Sequence, residues 1–159
     1  MKIKNLLKFL PLRIAYAHCD IPCGIYDPHM AQVAAHTVIR MTQLLTDLKS
    51  DDPKKTAHDI ARMTHVKEEH AGIIEEELET LRNDYFKLEH YQEYANLNEL
   101  FTSTLKSTSK ARQSIDVQAA EETLVGVLQI AEIFYKSKGV TPIRVKSVYP
   151  TGGEMVLYK

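Results

Sequence analysis

The run DPHMAQVAAHTVIRMTQLLTDL, residues 27–48, decides the fold. It opens on Asp27-Pro28, an acidic side chain suited to accept from the unpaired N–H groups of a helix start, followed by a residue whose fixed φ fits a first turn. Met30, Ala34, Val38, Met41, Leu45 and Leu48 then recur at steps of three and four, the spacing that lines one face of an α-helix. This periodicity predicts a first helix ending near Ser50.

Outward from it the pattern repeats. Asp51-Asp52-Pro53 gives a second start, and Ile60, Met63, Ile74, Leu78, Leu81 and Tyr85 carry an apolar stripe through a longer helix ending near Phe86. A third helix is expected from Tyr91 to Lys106 with Leu97, Phe101 and Leu105 on one face, then a loop over the Ser/Thr/Lys-rich stretch Ser107 to Ser114. A fourth runs from Asp116 to Lys138 through Leu124, Leu128, Ala131 and Phe134 or Tyr135, and Gly139 is its C-cap. The expected class is all-α, an antiparallel four-helix bundle. Beyond it, residues 143–149 and 155–158 flank Pro150-Thr151-Gly152-Gly153, the composition of a β-hairpin. A lone hairpin is marginal in water, so it should either pack on the bundle or on a neighbouring subunit, or be disordered.

The 159 residues, 44% of them hydrophobic, suffice for one domain with a continuous core. The net charge is −1, and residues 1–17 hold Lys2, Lys4, Lys8 and Arg13 with no acid, so their removal leaves 16 basic against 21 acidic side chains, or −5. A mildly acidic body argues against nucleic acid as a partner. No stretch is long and apolar enough for a membrane span. The leader ends Ala15-Tyr16-Ala17, a small-x-small pattern, but Lys8, Pro11 and Arg13 interrupt its apolar residues. That favours a removable cytoplasmic pro-segment over an export signal, and divides the chain into a leader at 1–17, a hook and bundle at 18–139, and an extension at 140–159.

Helical bundles often hold di-iron centres through Glu-x-x-His pairs. The residues three places before His36, His58, His65, His70 and His90 are Val33, Lys55, Arg62, Lys67 and Lys87, and none is a carboxylate. Metal chemistry therefore belongs at the N-terminal segment. Both cysteines lie there, in His18-Cys19-Asp20-Ile21-Pro22-Cys23-Gly24-Ile25-Tyr26. Cleavage after Ala17 frees the His18 amine, which with the Cys19 backbone nitrogen forms a five-membered chelate. The Cys19 and Cys23 thiolates complete a plane of two nitrogens and two sulfurs, and the His18 imidazole reaches an axial position. Tetragonal N/S coordination suits nickel(II) or copper(II), whereas zinc prefers a tetrahedron. Nickel fits better because copper(II) tends to oxidise thiolates. Folding Cys23 back onto Cys19 needs a tight reversal, for which an Ile21-Pro22 peptide, cis or trans, and Gly24 are suited.

Residues 18–28, His-Cys-Asp-Ile-Pro-Cys-Gly-Ile-Tyr-Asp-Pro, closely resemble the nickel hook of nickel-containing superoxide dismutases, and the resemblance continues through the helices to about Lys138, including Asp84-Tyr85-Phe86-Lys87. It implies disproportionation of superoxide with nickel cycling between divalent and trivalent states. It also implies a precursor cleaved by a peptidase, and a hexamer that shields the hooks. On this resemblance His18, Cys19 and Cys23 are the metal ligands. Tyr26 gates the open face or anchors the hook by packing, Asp20 braces the hook or serves as a turn residue, and Tyr85 lies behind the ligands or in the core. The chain departs from some members of the family, which carry a glutamate in helix one and an arginine in helix two to orient the axial imidazole; here Ala34 and His70 stand there, and His70 lies within an apolar stripe as a core histidine would.

Two other readings use the same residues. One is a non-enzymatic nickel or copper carrier with the same hook. The other is a secreted helical interaction module in which Cys19 and Cys23 form only a disulfide.

Overall fold

The first helix begins one residue later than the sequence reading places it: Pro28 is its N-cap, with its carbonyl accepting from Gln32 at 3.3 Å, and Asp27 just before it accepts the His29 N–H on Oδ1 at 2.7 Å. In the computed structural model, which describes residues 23–159, α1 spans His29–Thr46, α2 Pro53–Thr80, α3 Leu88–Glu93, α4 Leu97–Gln113 and α5 Val117–Ser137. A π-helical turn, Leu81–Tyr85, continues α2, and strands β1 (Pro142–Lys146) and β2 (Glu154–Tyr158) follow α5. Among the described residues no helix is long and apolar enough to cross a membrane.

The four long helices alternate in direction, with α1 beside α2 and α5, and α4 beside the same two. Ala34, Val38 and Leu45 of α1 are buried as expected, together with Ala31, Ala35 and Ile39. The buried stripe is rotated from the one read in the sequence: Met30 is exposed, and α1 ends at Thr46, four residues early. Small alanines on the inner face let α1 approach α5 closely, and bulk comes from Ile74, Leu78, Leu81, Phe101, Ile130 and Phe134. The start of α2 matches the sequence reading, because Asp52 Oδ1 accepts the N–H groups of Lys54 and Lys55 at 2.9 and 3.2 Å.

One expectation fails. Residues 107–114 are not a loop; α4 runs through them to Gln113. The Thr104 and Thr108 hydroxyls donate to the carbonyls four residues earlier at 2.7 and 2.8 Å, so their polar atoms are satisfied inside the helix although both side chains are buried. Buried Lys67 reaches across from α2, and its Nζ donates to the carbonyls of Ala111, Arg112 and Ser114, the free acceptors of the α4 C-terminus. Composition pointed to a loop, but tertiary packing overrode it. The third helix also starts later than expected, at Leu97 rather than Tyr91. Residues 88–93 form the separate short α3, capped where the Lys87 N–H donates to His90 Nδ1 at 2.9 Å.

The extension is a hairpin, with Pro142 opposite Tyr158 and Lys146 opposite Glu154. It packs on its own bundle. The buried Gln32 side chain meets the Val156 backbone as a strand would, accepting from its N–H at 2.7 Å and donating to its carbonyl at 3.2 Å.

The α4–α5 contact is closest at Gly126, where an added Cβ would lie 2.1 Å from Thr104 Oγ1 and 2.9 Å from Thr104 Cβ. The Cβ clash remains whatever rotamer Thr104 adopts, so the helices would have to separate. Alanine in place of a mid-helix glycine ordinarily stabilises. Here Gly126→Ala is expected to destabilise by about 2 kcal/mol, the range for overpacking a close-packed core, as read from urea unfolding midpoints.

Candidate metal centre

Because the helices alternate in direction, the N-terminus of α1, the end of α2 and the end of α5 meet at one end of the bundle. Cys23 enters there. It is exposed, the Ile25 N–H donates to its Sγ at 3.4 Å, and the Sγ in turn lies 4.0 Å from the Ile25 carbonyl. Gly24 has a φ of +68°, in the left-handed region that side chains rarely adopt, and it turns the backbone between Cys23 and Tyr26. Tyr26 lies three positions after Cys23, so the two are no more than about 10 Å apart along the chain.

The Tyr26 ring rests on that of Tyr85, with centroids 5.4 Å apart. These two candidates, 59 positions apart in sequence, are brought together by the fold. The π turn at Leu81–Tyr85 widens the end of α2, and there the Phe86 N–H reaches the Leu81 carbonyl at 2.9 Å. Tyr85 also meets Phe134 at 4.7 Å and Phe86 at 4.9 Å, stacks on His90 at 5.7 Å, and lies under the Lys138 ammonium, 4.6 Å from the ring centre. The cation over the ring face suits the aromatic quadrupole. Its hydroxyl lies 2.7 Å from Ser137 Oγ. The Ser137 proton is donated to the Phe134 carbonyl at 2.7 Å, so Tyr85 is the donor in that pair and its hydroxyl is directed at the end of α5.

Asp27 links this cluster to a second one. Its Oδ1 also accepts from the Tyr135 hydroxyl at 3.4 Å. Burial, with the Asp27 carboxylate next in effect, pushes the Tyr135 phenol up to about 12, so it stays a donor throughout the neutral range.

Of the residues singled out in the sequence, His18, Cys19, Asp20 and the Ile21-Pro22 peptide lie outside the described residues. Among the described residues no three His, Cys, Asp or Glu side chains converge on one point. Ala34 is buried in the core, and His70 Nδ1 donates to the Val66 carbonyl of its own helix at 2.8 Å, which satisfies a partly buried ring locally. The sequence reading missed His90, Ser137, Lys138 and the Tyr135–Asp27 pair. The alternation of helix directions was enough to place the end of α5 beside residues 26 and 85. The donors that the sequence reading assigns, two thiolates with an amine, an amide nitrogen and an imidazole, would favour a tetragonal d-electron metal over oxygen-seeking cations, and of them only Cys23 lies among the described residues.

Comparison with known proteins agrees with this chemistry. The family model of nickel-containing superoxide dismutase matches residues 13–138. "Superoxide dismutase [Ni]" of Streptomyces coelicolor is 35% identical over 130 residues, covering 82% of this chain and 95% of the relative. The protein of the same name from Streptomyces seoulensis is 34% identical with the same coverage. A native nickel superoxide dismutase structure superposes with a TM-score of 0.68 at 36% identity, over 76% of this chain and 99% of that one. The relatives are named as enzymes, which favours a dismutase over a carrier. A match over most of the length, by sequence and by fold, together with the Cys23–Tyr26 turn seated on the Tyr85 cluster, shows that the chain belongs to the nickel-containing superoxide dismutase family.

Proposed function

We propose that this chain converts two superoxide anions and two protons into dioxygen and hydrogen peroxide at a nickel ion held by His18, Cys19 and Cys23, after residues 1–17 are removed. The observation that carries the reading is the hook run 18–28 set directly before α1, inside a match that spans residues 13–138. Bound nickel supplies the one-electron chemistry by alternating between two oxidation states, and thiolate donation brings the higher state within reach.

The chain's residues do the rest. Cys19 and Cys23 would hold the metal as thiolates, and the Ile25 N–H, 3.4 Å from the Cys23 sulfur, would donate to it there. Tyr26 would orient superoxide or water by hydrogen bonding from its hydroxyl. Tyr85 acts as a positioning residue: its ring backs Tyr26, while its own hydroxyl is turned to Ser137. Lys138 places positive charge at the same end, which favours the approach of a small anion.

A processing peptidase, a homohexamer and a cytoplasmic location belong to the same reading. The leader's Ala15-Tyr16-Ala17 supports cleavage, and its interrupted apolar residues support the cytoplasm over export. The resemblance supports the hexamer, as do Ile25 and Leu88, both more than two-thirds exposed at the hook end, where a neighbouring subunit would bury them.

Full-length protein and protein beginning at His18, each reconstituted with nickel, are expected to differ. The shortened form should be active, and the full chain, with an amide in place of the amine, should be inactive. Equal activity would remove the amine from the mechanism. Cys19→Ser and Cys23→Ser should each abolish the nickel–thiolate absorption and nearly all activity while leaving helical circular dichroism unchanged, since the bundle has its own core; wild-type activity in either variant would overturn the ligand assignment. Tyr26→Phe should keep wild-type nickel content yet saturate or lose activity at high superoxide in pulse radiolysis. Unaltered kinetics would leave Tyr26 as packing alone.

A further inference from the structure

The hairpin lies beyond residue 138, where the family match ends, yet it is tied to the helix that carries the hook. Gln32 in the first turn of α1 makes both of its amide hydrogen bonds to Val156. His36, one turn on, donates from Nε2 to the Glu154 carbonyl at 3.1 Å and accepts on Nδ1 from the Thr151 hydroxyl at 2.7 Å. Arg144 bridges Glu132 of α5 at 2.6 Å and Glu154 of β2 at 3.2 Å. The hairpin thereby fastens α1 to α5 near the end where the hook leaves the bundle.

Its last paired residue extends that link toward the hook. The Tyr158 ring packs on Tyr135 with centroids 4.9 Å apart, and Tyr135 directs its hydroxyl to Asp27, whose carboxylate also accepts the His29 N–H at the start of α1. Asp27 is adjacent to Tyr26 and four residues from Cys23. We propose that the hairpin is a strap, and that Tyr158 and Tyr135 are positioning residues which hold Asp27, and through it the Cys23–Tyr26 segment, in the geometry that receives the metal. The inference rests on the nickel-hook reading.

Tyr158 is more than half exposed, so its removal leaves the core intact. With its ring gone, water gains access to the face of Tyr135 and competes for the Asp27 carboxylate. Asp27 then keeps its bond to His29 but loses the fixed position that Tyr135 gives it.

The test has two readouts. In the full chain, hydrogen exchange at the amides of residues 25–32 is measured by mass spectrometry for wild type, Tyr158→Ala, Tyr158→Phe and Tyr135→Phe. Tyr158→Ala and Tyr135→Phe should exchange about three- to tenfold faster there, the scale of one modest hydrogen bond, with exchange in α4 unchanged. Tyr158→Phe, which keeps the ring, should match wild type. The same four proteins, after leader removal, are titrated with nickel(II) and followed by their thiolate absorption. Tyr158→Ala and Tyr135→Phe should bind about three- to tenfold more weakly, and the double variant should be no worse than the poorer single variant, because both act along one path. Wild-type exchange and nickel affinity in both variants would overturn the strap while leaving the hook reading in place. A change in exchange without a change in affinity would overturn its role in metal binding. A wild type with no nickel–thiolate absorption would overturn both the strap and the hook reading.

Discussion

The burial of α1 between α2 and α5 is the constraint on which the remainder of the structure depends. The hook enters the described structure at Cys23, and its backbone runs directly into this helix. The geometry of the metal site proposed there would therefore be only as well defined as the position of the α1 N-terminus. Ala31, Ala34 and Ala35 face the core and are almost wholly buried. Small side chains bring the helix axis close to its neighbours, which limits rocking that longer side chains would permit. Asp27 fixes the first turn from one side through the His29 N–H, and Gln32 fixes it from another through the Val156 backbone.

Helix direction then assembles the site. A bundle of alternating helices carries the ends of α2 and α5 back to the start of α1. Tyr85 thus arrives beside Tyr26, with Phe134, Ser137 and Lys138 behind it. The aromatic packing around Tyr85 supports the Cys23–Tyr26 segment from the bundle side, while the exposed Lys138 ammonium sets its charge on the solvent side of the same end.

Much of this was legible in the sequence, for identifiable reasons. Asp52-Pro53 and the regular spacing of Ala34, Val38 and Leu45 mark helix starts and faces because capping and amphipathic burial are local rules. The family was legible in the Cys19 to Tyr26 spacing because metal coordination demands particular donors at short range, while His18 and Cys19 themselves lie outside the described residues. Residues 107–114 were misread because Thr104, Thr108 and Lys67 satisfy polar groups through partners that composition does not reveal. The extra short helix at 88–93 depends on a His90 cap, and the rotation of the α1 stripe on a hairpin more than a hundred residues away that covers Gln32. Tyr135 and Asp27, 108 positions apart, could be paired only after the helix directions were combined into a bundle.

The central claim is that nickel is held by two thiolates and nitrogen donors of the N-terminal hook, and X-ray absorption at the nickel edge tests it most directly. On nickel-reconstituted protein beginning at His18, the account predicts two sulfur scatterers from Cys19 and Cys23 together with two or three nitrogen scatterers from His18 and the Cys19 amide. A nickel shell of nitrogen and oxygen alone, with no sulfur, would contradict it.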